Sequence, residues 1–492
     1  MRTFFILKEK NSMITELEPS EVFYYFNEIC KIPRPSKKEE KIRAFLIDFG
    51  LKNQLETIVD KTGNVLIRKP ATKGFEHLST VILQAHIDMV CEKNSDVVHD
   101  FETESIKPYV DGEWIRAKGT TLGADNGIGM AAMLAVLASS DLQHGNLECL
   151  FTYDEETGLT GAFNLDADLL SGKILINLDS EEDGEFFIGC AGGLDTIAKM
   201  PYRSENADDK MFFFNMNVKG LKGGHSGDDI DKGRGNANKI LARFLWQTSQ
   251  KTDLRIVKID GGNLRNAIAR EASVTAAVPF SYREPLRVDL NLFIYDVETE
   301  LKHTEPDVEI TLESEVAQAE FIDKKSSTNL LNMLMACPHG VVRMSDTMKG
   351  LVETSTNLAS IKMKCGEIEI ATSQRSSIES SKFDIANVVE SVFLLGGAGV
   401  SHSAAYPGWT PNPSSEIVKT SAKVYRNLFG EDPKIRAIHA GLECGLFLEK
   451  YPHLDMVSFG PTMQGVHSPN ERLNIKSTQR FWTLLTSILK EV

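Results

Sequence analysis

Residues 80–88 read Thr-Val-Ile-Leu-Gln-Ala-His-Ile-Asp. Val81, Ile82 and Leu83 follow one another with no polar residue between them, so the run does not fit a strand with one wet face. A continuous apolar run of this kind suits a strand covered on both faces, as in a parallel or mixed α/β sheet. Its carboxyl end is chemically unusual, because His86 and Asp88 put an imidazole and a carboxylate where a buried strand stops.

Similar runs flank it. Asn64–Arg68 (NVLIR) follows a Thr62-Gly63 turn, and Asn146–Thr152 (NLECLFT) and Lys173–Leu178 (KILINL) read as further strands. Asn126–Ala138 (NGIGMAAMLAVLA) reads as a helix buried all round. Pro19 to Gly50 carries two helical patterns, Val22, Phe23, Phe26 and Ile29, then Ile42, Phe45, Leu46 and Phe49. Asp111-Gly112 is a hairpin signal. Alternation of strand and helix over residues 60–180 predicts an α/β domain.

From about residue 188 the texture changes. Met211–Val218, Ser273–Ala277, Val308–Leu312, Gly340–Met344 and Glu367–Thr372 read as strands of an open sheet. Ala237–Gln250 and Phe383–Leu395 read as helices between them. Two similar α+β halves are the reading, without a strict repeat. Residues 400–492 return to α/β texture, with a helix at Ser415–Phe429, a strand at Met456–Phe459 and a helix at Ser477–Lys490. The expectation is an α/β protein with a split catalytic domain. Residues 1–187 and 400–492 would form a mixed sheet covered by helices, and residues 188–399 an inserted α+β lid.

Bulk properties narrow the function. The 492 residues are 42% hydrophobic and 25% charged, with net charge −15. That composition is ordinary for a folded protein, and the length suggests more than one domain. An acidic chain repels phosphates, so nucleic acid is an unfavoured partner. No stretch has the length a membrane helix needs. Seven scattered cysteines, without a Cys-x-x-Cys pair, suit reduced cytoplasmic thiols. Phe4–Leu7 is too short for a signal peptide, and residues 1–12 read as a frayed or non-native start before Met13. The expected location is the cytoplasm.

The strand ends carry the chemistry. Besides His86 and Asp88 there are Asp125 (LGADNG), Glu155 and Glu156 (DEETG), Asp179 (NLDS) and His467 (GVHSPNE). Strand carboxyl ends in an α/β sheet converge on one edge, where ligands bind. Imidazole plus carboxylate without thiolate suits Zn²⁺, Mn²⁺ or Co²⁺ and is too nitrogen-rich for a dedicated Ca²⁺ or Mg²⁺ site. Two divalent ions, three carboxylates and one hydroxide sum to zero charge. Each motif alone has a plainer reading. His86 could be a hydrogen-bonded surface histidine, Glu155-Glu156 a solvated pair, and Asp125 a turn or helix cap. Together they are harder to dismiss, because adjacent buried carboxylates cost free energy without cations.

QAHIDMV, TTLGADNGIG, YDEETGLTGA, LINLDSEEDGEFFIGCAGG and GVHSPNERL, in this order, resemble the aminoacyl-histidine dipeptidase (Xaa-His dipeptidase, peptidase D) branch of the co-catalytic zinc exopeptidases. The resemblance covers nearly all of the chain from Leu17. It implies two divalent metal ions per chain, zinc first, with manganese or cobalt as alternatives. His86 and Asp179 would hold one ion, Glu156 and His467 the other, and Asp125 would bridge them through a cis Asp125–Asn126 peptide. Asp88 would orient His86. Glu155 would be the general base for a hydroxide bridging the metals. In the lid, His225 (GGHSG) would stabilise the oxyanion, and Asn263 and Arg375 (SQRSS) would hold the substrate's C-terminal side. His439 and Glu443 (IHAGLECG) resemble a segment near the substrate, Glu443 being counted as a substrate contact. The plainer readings are a glycine-rich turn for His225 and a surface ion pair for Arg375.

The implied activity is metal-dependent hydrolysis of unblocked dipeptides, Xaa-His included, with a small peptide as the only partner and a monomer or homodimer as the assembly. Two alternatives stay open: an N-acyl amino acid deacylase using the same centre, and a non-catalytic metal-dependent binding protein. No Gly-x-Ser-x-Gly elbow points to a serine hydrolase, and Gly396-Gly397-Ala398-Gly399 lacks the Lys-Ser/Thr of a phosphate loop.

Overall fold

The computed structural model describes residues 13–208, 210–403 and 405–492, so the reading of residues 1–12 lies outside the described residues. The chain forms two compact units. Among the described residues, the first comprises residues 13–189, 411–437 and 446–492, and the second residues 190–208, 210–403, 405–410 and 438–445. The sequence reading drew its boundaries at 187/188 and 399/400. The return of Ile438–Gly445 to the second unit has no signature in composition.

The first unit is built on a mixed eight-stranded sheet. Its order is Glu56–Val59, Val65–Lys69, Leu147–Thr152, Val81–His86, Ile174–Asn177, Asp455–Ser458, Glu185–Cys190 and Lys434–Ile438. The four strands from Leu147–Thr152 to Asp455–Ser458 run parallel, in registers such as Leu83↔Cys149, Leu83↔Ile176 and Val457↔Ile176. Their carboxyl ends therefore share one edge. Val81, Ile82, Leu83 and Ala85 are at most 1% exposed, which explains the unbroken apolar run. Burying each large aliphatic side chain stabilises the sheet by about 1.5–3 kcal/mol.

Helix Ala124–Ala138 packs on strand Val81–His86 and on helix Ser20–Cys30. Residues 127–137 of it are all buried, which suits its apolar sequence. Asp111–Trp114 closes the expected hairpin, pairing Pro108–Asp111 with Trp114–Ala117. That hairpin joins Arg472–Asn474 and Met463–Gln464 in a small four-stranded sheet, which anchors both sides of the loop holding His467.

The second unit has a nine-stranded antiparallel sheet. Eight strands follow the order Glu309–Ser314, Met211–Lys219, Ala272–Pro279, Arg255–Gly261, Val352–Lys364, Glu367–Ser376, Gly192–Pro201 and Gly399–His402, and Gly340–Met344 pairs with Val352–Lys364. Helices Ala237–Ser249, Arg283–Leu301, Lys324–Ala336 and Glu379–Leu395 supply Phe244, Phe293, Leu330 and Phe393 to the core against this sheet. Four strands of this sheet, Arg255–Gly261, Val352–Lys364, Gly192–Pro201 and Gly399–His402, escaped the sequence reading, two of them for a plain physical reason. Val352–Lys364 (VETSTNLASIKMK) opens with ten consecutive buried residues, Thr354, Ser355, Thr356 and Asn357 among them. Gly192–Pro201 begins with two glycines, which lower strand propensity.

Candidate metal centre

Three parallel strands, a broken helix and a loop of the first unit bring the predicted acids and histidines to one place. His86 ends its strand and is 1% exposed. Glu155 and Glu156 open a one-turn helix just after strand Leu147–Thr152. Asp179 follows Ile174–Asn177 by two residues. His467 lies in the loop between Met463–Gln464 and Arg472–Asn474, at φ +59°. Asp125 stands where helix Ala124–Ala138 breaks. Asp125 and Asn126 leave helical geometry there and are joined by a cis peptide.

Asp125 occupies the middle. Its Oδ1 is 3.1 Å from His86 Nε2 and its Oδ2 is 3.1 Å from His467 Nε2. On the first side, His86 Nε2 also lies 3.4 Å from Asp179 Oδ1. On the second, His467 Nε2 lies 3.0 Å from Glu156 Oε2. Two triads result, His86–Asp125–Asp179 and Asp125–Glu156–His467, each with its donor atoms within 4.8 Å of one another. A third grouping, His86–Glu155–Glu156, sets Glu155 beside the pair.

The electrostatics mark a pocket built for cations. Burial raises the Asp179 carboxyl; His86 opposes this, but with Asp125 and Glu156 nearby the net shift is upward. Burial would also raise Asp125, but hydrogen bonds from His467 and His86 outweigh it and hold Asp125 well below the carboxylate range. Burial alone would lower His86, yet Asp179, Asp125 and Asp88 hold it well above its ordinary value. Hydrogen bonds to Asp125 and Glu156 push His467 up to about 11. Partial burial, with Asp125 and Asp179 nearby, pushes the half-buried Glu181 up to about 8. Positive charge is thus strongly favoured here, and protonated imidazoles supply it when no metal does. Glu156 Oε1 is buried without a hydrogen-bond partner. Two imidazoles and three carboxylates with no thiolate fit divalent transition ions.

A ring of supporting contacts fixes these side chains. Asp88 Oδ1 lies 3.3 Å from His86 Nδ1, without the alignment of a full hydrogen bond. The Asp88 carboxylate also accepts from the N–H groups of Glu155 (3.0 Å) and Glu156 (3.2 Å) and from Ser36 Oγ (2.8 Å). One buried carboxylate therefore orients both a histidine and the turn after the neighbouring strand. That turn begins at Asp154 with φ +50°, a left-handed conformation that costs a non-glycine residue about 1–2 kcal/mol. Bonds from Thr157 Oγ1 (2.5 Å) and Thr160 Oγ1 to the Asp154 carboxylate offset it. Asn126 Nδ2 donates to Asp179 Oδ1 at 2.5 Å. Gly129 is required beside it, because a Cβ there would collide with Asn126 Oδ1.

Two residues of this ring had no assigned role in the sequence reading. Glu471 accepts from the N–H groups of Leu122 (2.6 Å), Gly123 (2.9 Å), Ala124 (2.7 Å) and Asp125 (3.3 Å). Arg34, 2% exposed, donates to the carbonyls of Ile87 (3.1 Å), Asp88 and Gly123. Glu471 lies in the quoted GVHSPNERL stretch, a usable signal, whereas Arg34 carries none.

The second unit holds the remaining candidates. His225 Nδ1 faces the N–H groups of Gly227 (3.3 Å) and Asp228 (3.2 Å) and lies 3.4 Å from Asp228 Oδ2. Arg375 Nη2 lies 3.4 Å from His225 Nε2, which sets a guanidinium beside the imidazole, a pairing suited to an anionic oxygen. Arg375 is held by Ser226 Oγ (3.3 Å) and by the Tyr406 hydroxyl (3.0 Å), a residue that sequence reasoning missed. Asn263 is engaged differently. Its Oδ1 accepts from Lys362 Nζ at 3.0 Å, and it lines an open cleft of about 710 Å³ with Lys219, Asp260 and Arg270. Glu443 is 1% exposed at the start of helix Glu443–Lys450, and His439 Nε2 is 2.7 Å from Ser355 Oγ.

Known proteins share this chain's sequence and fold. Residues 82–491 match the model of peptidase family M20/M25/M40. The cytosol non-specific dipeptidase of Escherichia coli (strain K12) is 45% identical over 481 residues, covering 98% of this chain and 99% of that protein. The crystal structure of aminoacylhistidine dipeptidase from Vibrio alginolyticus superposes with a TM-score of 0.90 at 46% identity, covering 98% of each chain. A tripeptidase structure from Staphylococcus aureus, at 18% identity and a TM-score of 0.56, shares the fold alone. This chain belongs to peptidase family M20/M25/M40.

Proposed function

We propose that this chain is a metal-dependent dipeptidase that hydrolyses unblocked dipeptides, Xaa-His among them, in the cytoplasm. The observation that carries the reading is Asp125, whose two oxygens each face a separate histidine-containing triad. In this reading His86, Asp125 and Asp179 hold one divalent ion, and Asp125, Glu156 and His467 the other, with zinc the favoured occupant. The printed names of the Escherichia coli and Vibrio relatives support dipeptides as the substrate class. Among the described residues no helix is long and apolar enough to cross a membrane.

Two such ions supply Lewis acidity, acidifying water and polarising the scissile carbonyl. The chain's own residues do the rest. Glu155 takes a proton from the attacking water as the new C–O bond forms. It returns that proton to the amine nitrogen as the C–N bond breaks. Asp88 keeps His86 and the Glu155–Glu156 turn in register. His225 Nε2–H donates to the developing oxyanion, and Arg375 forks the substrate's free carboxylate. Asn263 and Glu443 complete the proposed substrate contacts.

Glu155→Ala tests the reading. The expected result is a kcat lower by about 10²–10⁴ with metal content unchanged. A variant that keeps most of its kcat overturns the base assignment. A substrate panel of free dipeptides against N-acyl amino acids tests the substrate class, and preferential cleavage of the acylated series overturns it.

A further inference from the structure

Beside the turn that carries Glu155 and Glu156 lies a second group of acids, in which Asp88, the support of His86, meets two residues with no role so far, Glu39 and Asp154. One oxygen each from Glu39, Asp88 and Asp154 falls within 4.8 Å of the others. The three residues are 0%, 0% and 1% exposed. Among the described residues none of the three pairs with a lysine or arginine, and His86 on Asp88 is the only ion-pair partner of the trio. Three anions this close, out of water, repel one another strongly, so the cluster needs a proton or a cation.

The hydrogen bonds decide between the two. The Asp88 carboxylate is occupied by Ser36 Oγ and by the Glu155 and Glu156 N–H groups. Both Asp154 oxygens accept threonine hydroxyls, from Thr157 and Thr160. Glu39 Oε1 accepts the Asp154 N–H at 3.2 Å. One oxygen, Glu39 Oε2, is buried with no hydrogen-bond partner among the described residues. A hard cation asks for six or more oxygens, and these are already committed to N–H and O–H donors. A single proton on one Glu39 oxygen turns an acceptor into a donor within a cluster that already holds two other carboxylates. Burial first, then Asp88 and Asp154, push the Glu39 carboxyl up to about 7, against the pull of nearby backbone N–H groups.

We propose that Glu39 is a positioning residue: as a neutral carboxylic acid it ties the Asp154 backbone to the buried carboxylates beside the turn and so fixes where Glu155 and Glu156 stand. It touches neither substrate nor metal and acts through Asp154 and Asp88. The inference rests on the reading of Glu155 as general base.

The test compares Glu39→Gln with Glu39→Ala, using the metal-loaded enzyme and Ala-His as substrate. Glutamine keeps an acceptor for the Asp154 N–H and places an amide donor where the O–H stood. Its kcat is expected within about twofold of the parent, because donor and acceptor are both preserved. Alanine removes both, and kcat is expected to fall about 10–100-fold with KM and metal content nearly unchanged. Parental kcat in Glu39→Ala overturns the inference, as does a Glu39→Gln variant that folds but loses kcat. The glutamine result stands alone if the alanine variant fails to fold. A wild-type chain that holds one more ion than Glu39→Gln also overturns it, since the cluster would then be a cation site. Glu155→Gln measured in parallel separates the two readings. A dead Glu155→Gln beside a fully active Glu39→Ala removes this inference alone, whereas an active Glu155→Gln removes the base assignment and the route claimed for Glu39.

Discussion

The carboxylate of Glu471 reaches across 346 positions of sequence to the backbone N–H of Asp125, at 3.3 Å, and gathers the three preceding N–H groups on the way. An anion on four converging amides holds the loop that presents the central carboxylate. Replacing Glu471 by glutamine removes the charge and leaves amide donors facing amide donors. The expected cost is about 2–3 kcal/mol of stability and a metal affinity about 10–100-fold weaker. Thermal melting and a metal titration check both, and an unchanged affinity removes the link between this loop and the centre.

Metal loading is expected to expel protons. In the metal-free chain His86 is held well above its ordinary value and His467 is pushed up to about 11, so both rings are cationic at pH 7. A histidine must give up that proton to ligate. Loading at pH 7 should therefore release roughly two protons per chain. Affinity should rise with pH, because fewer protons then compete. Calorimetric titration in buffers of different ionisation enthalpy reads the proton count directly, and a heat independent of buffer contradicts it.

Arg375 tests the substrate side. Its guanidinium is fixed by Ser226 and Tyr406 with Nη2 beside His225 Nε2. Lysine keeps the charge but loses the fork. Arg375→Lys is expected to raise KM for free dipeptides about 10–100-fold while kcat moves little. Steady-state kinetics on Ala-His decides this, and an unchanged KM places the substrate carboxylate elsewhere.

The second unit should weaken in acid. His439 is 5% exposed and its ring is pushed down to about 4, by burial first and then by Arg375. An unfolded histidine titrates near 6.5. Between those values the unfolded chain takes up a proton that the folded chain refuses, so stability falls as pH drops from about 6.5 toward 4. The loss reaches about 2 kcal/mol by pH 5. Urea midpoints of the parent and His439→Gln across this range provide the check: the variant should show a flatter profile, and parallel curves would exclude His439 as the cause.

His86, Glu155, Glu156 and Asp179 were legible because they stand just past the ends of apolar runs, whereas Asp125, at a helix break, and His467, in a loop, were legible by motif. Val81–His86 is buried along its length, so its polar end is conspicuous. The supports were less legible, because they depend on pairings distant in sequence. Glu471 meets residues 122–125, Arg34 meets residues 87, 88 and 123, and Glu39 meets Asp154. None of these partners announces itself by spacing. The polar strand Val352–Lys364 was hidden for the opposite reason. Its buried polar side chains are paired, Thr354 with Ser376 and Thr356 with Gln374 inside the sheet, Ser355 with His439 and Asn357 with the carbonyls of Arg265 and Ala267, so hydropathy misreads them as solvated.

The first unit is threaded from three stretches of chain, and the two triads are not finished at the same moment of synthesis. His86, Asp125 and Asp179 have all left the ribosome while most of the second unit is still unmade. His467 emerges only near the end, carried by a loop pinned between the last short strands. A growing chain can thus assemble one ion's cage early but lacks the histidine of the other until almost everything else has been translated. The order of residues alone leaves the second triad incomplete until nearly the whole chain has been translated.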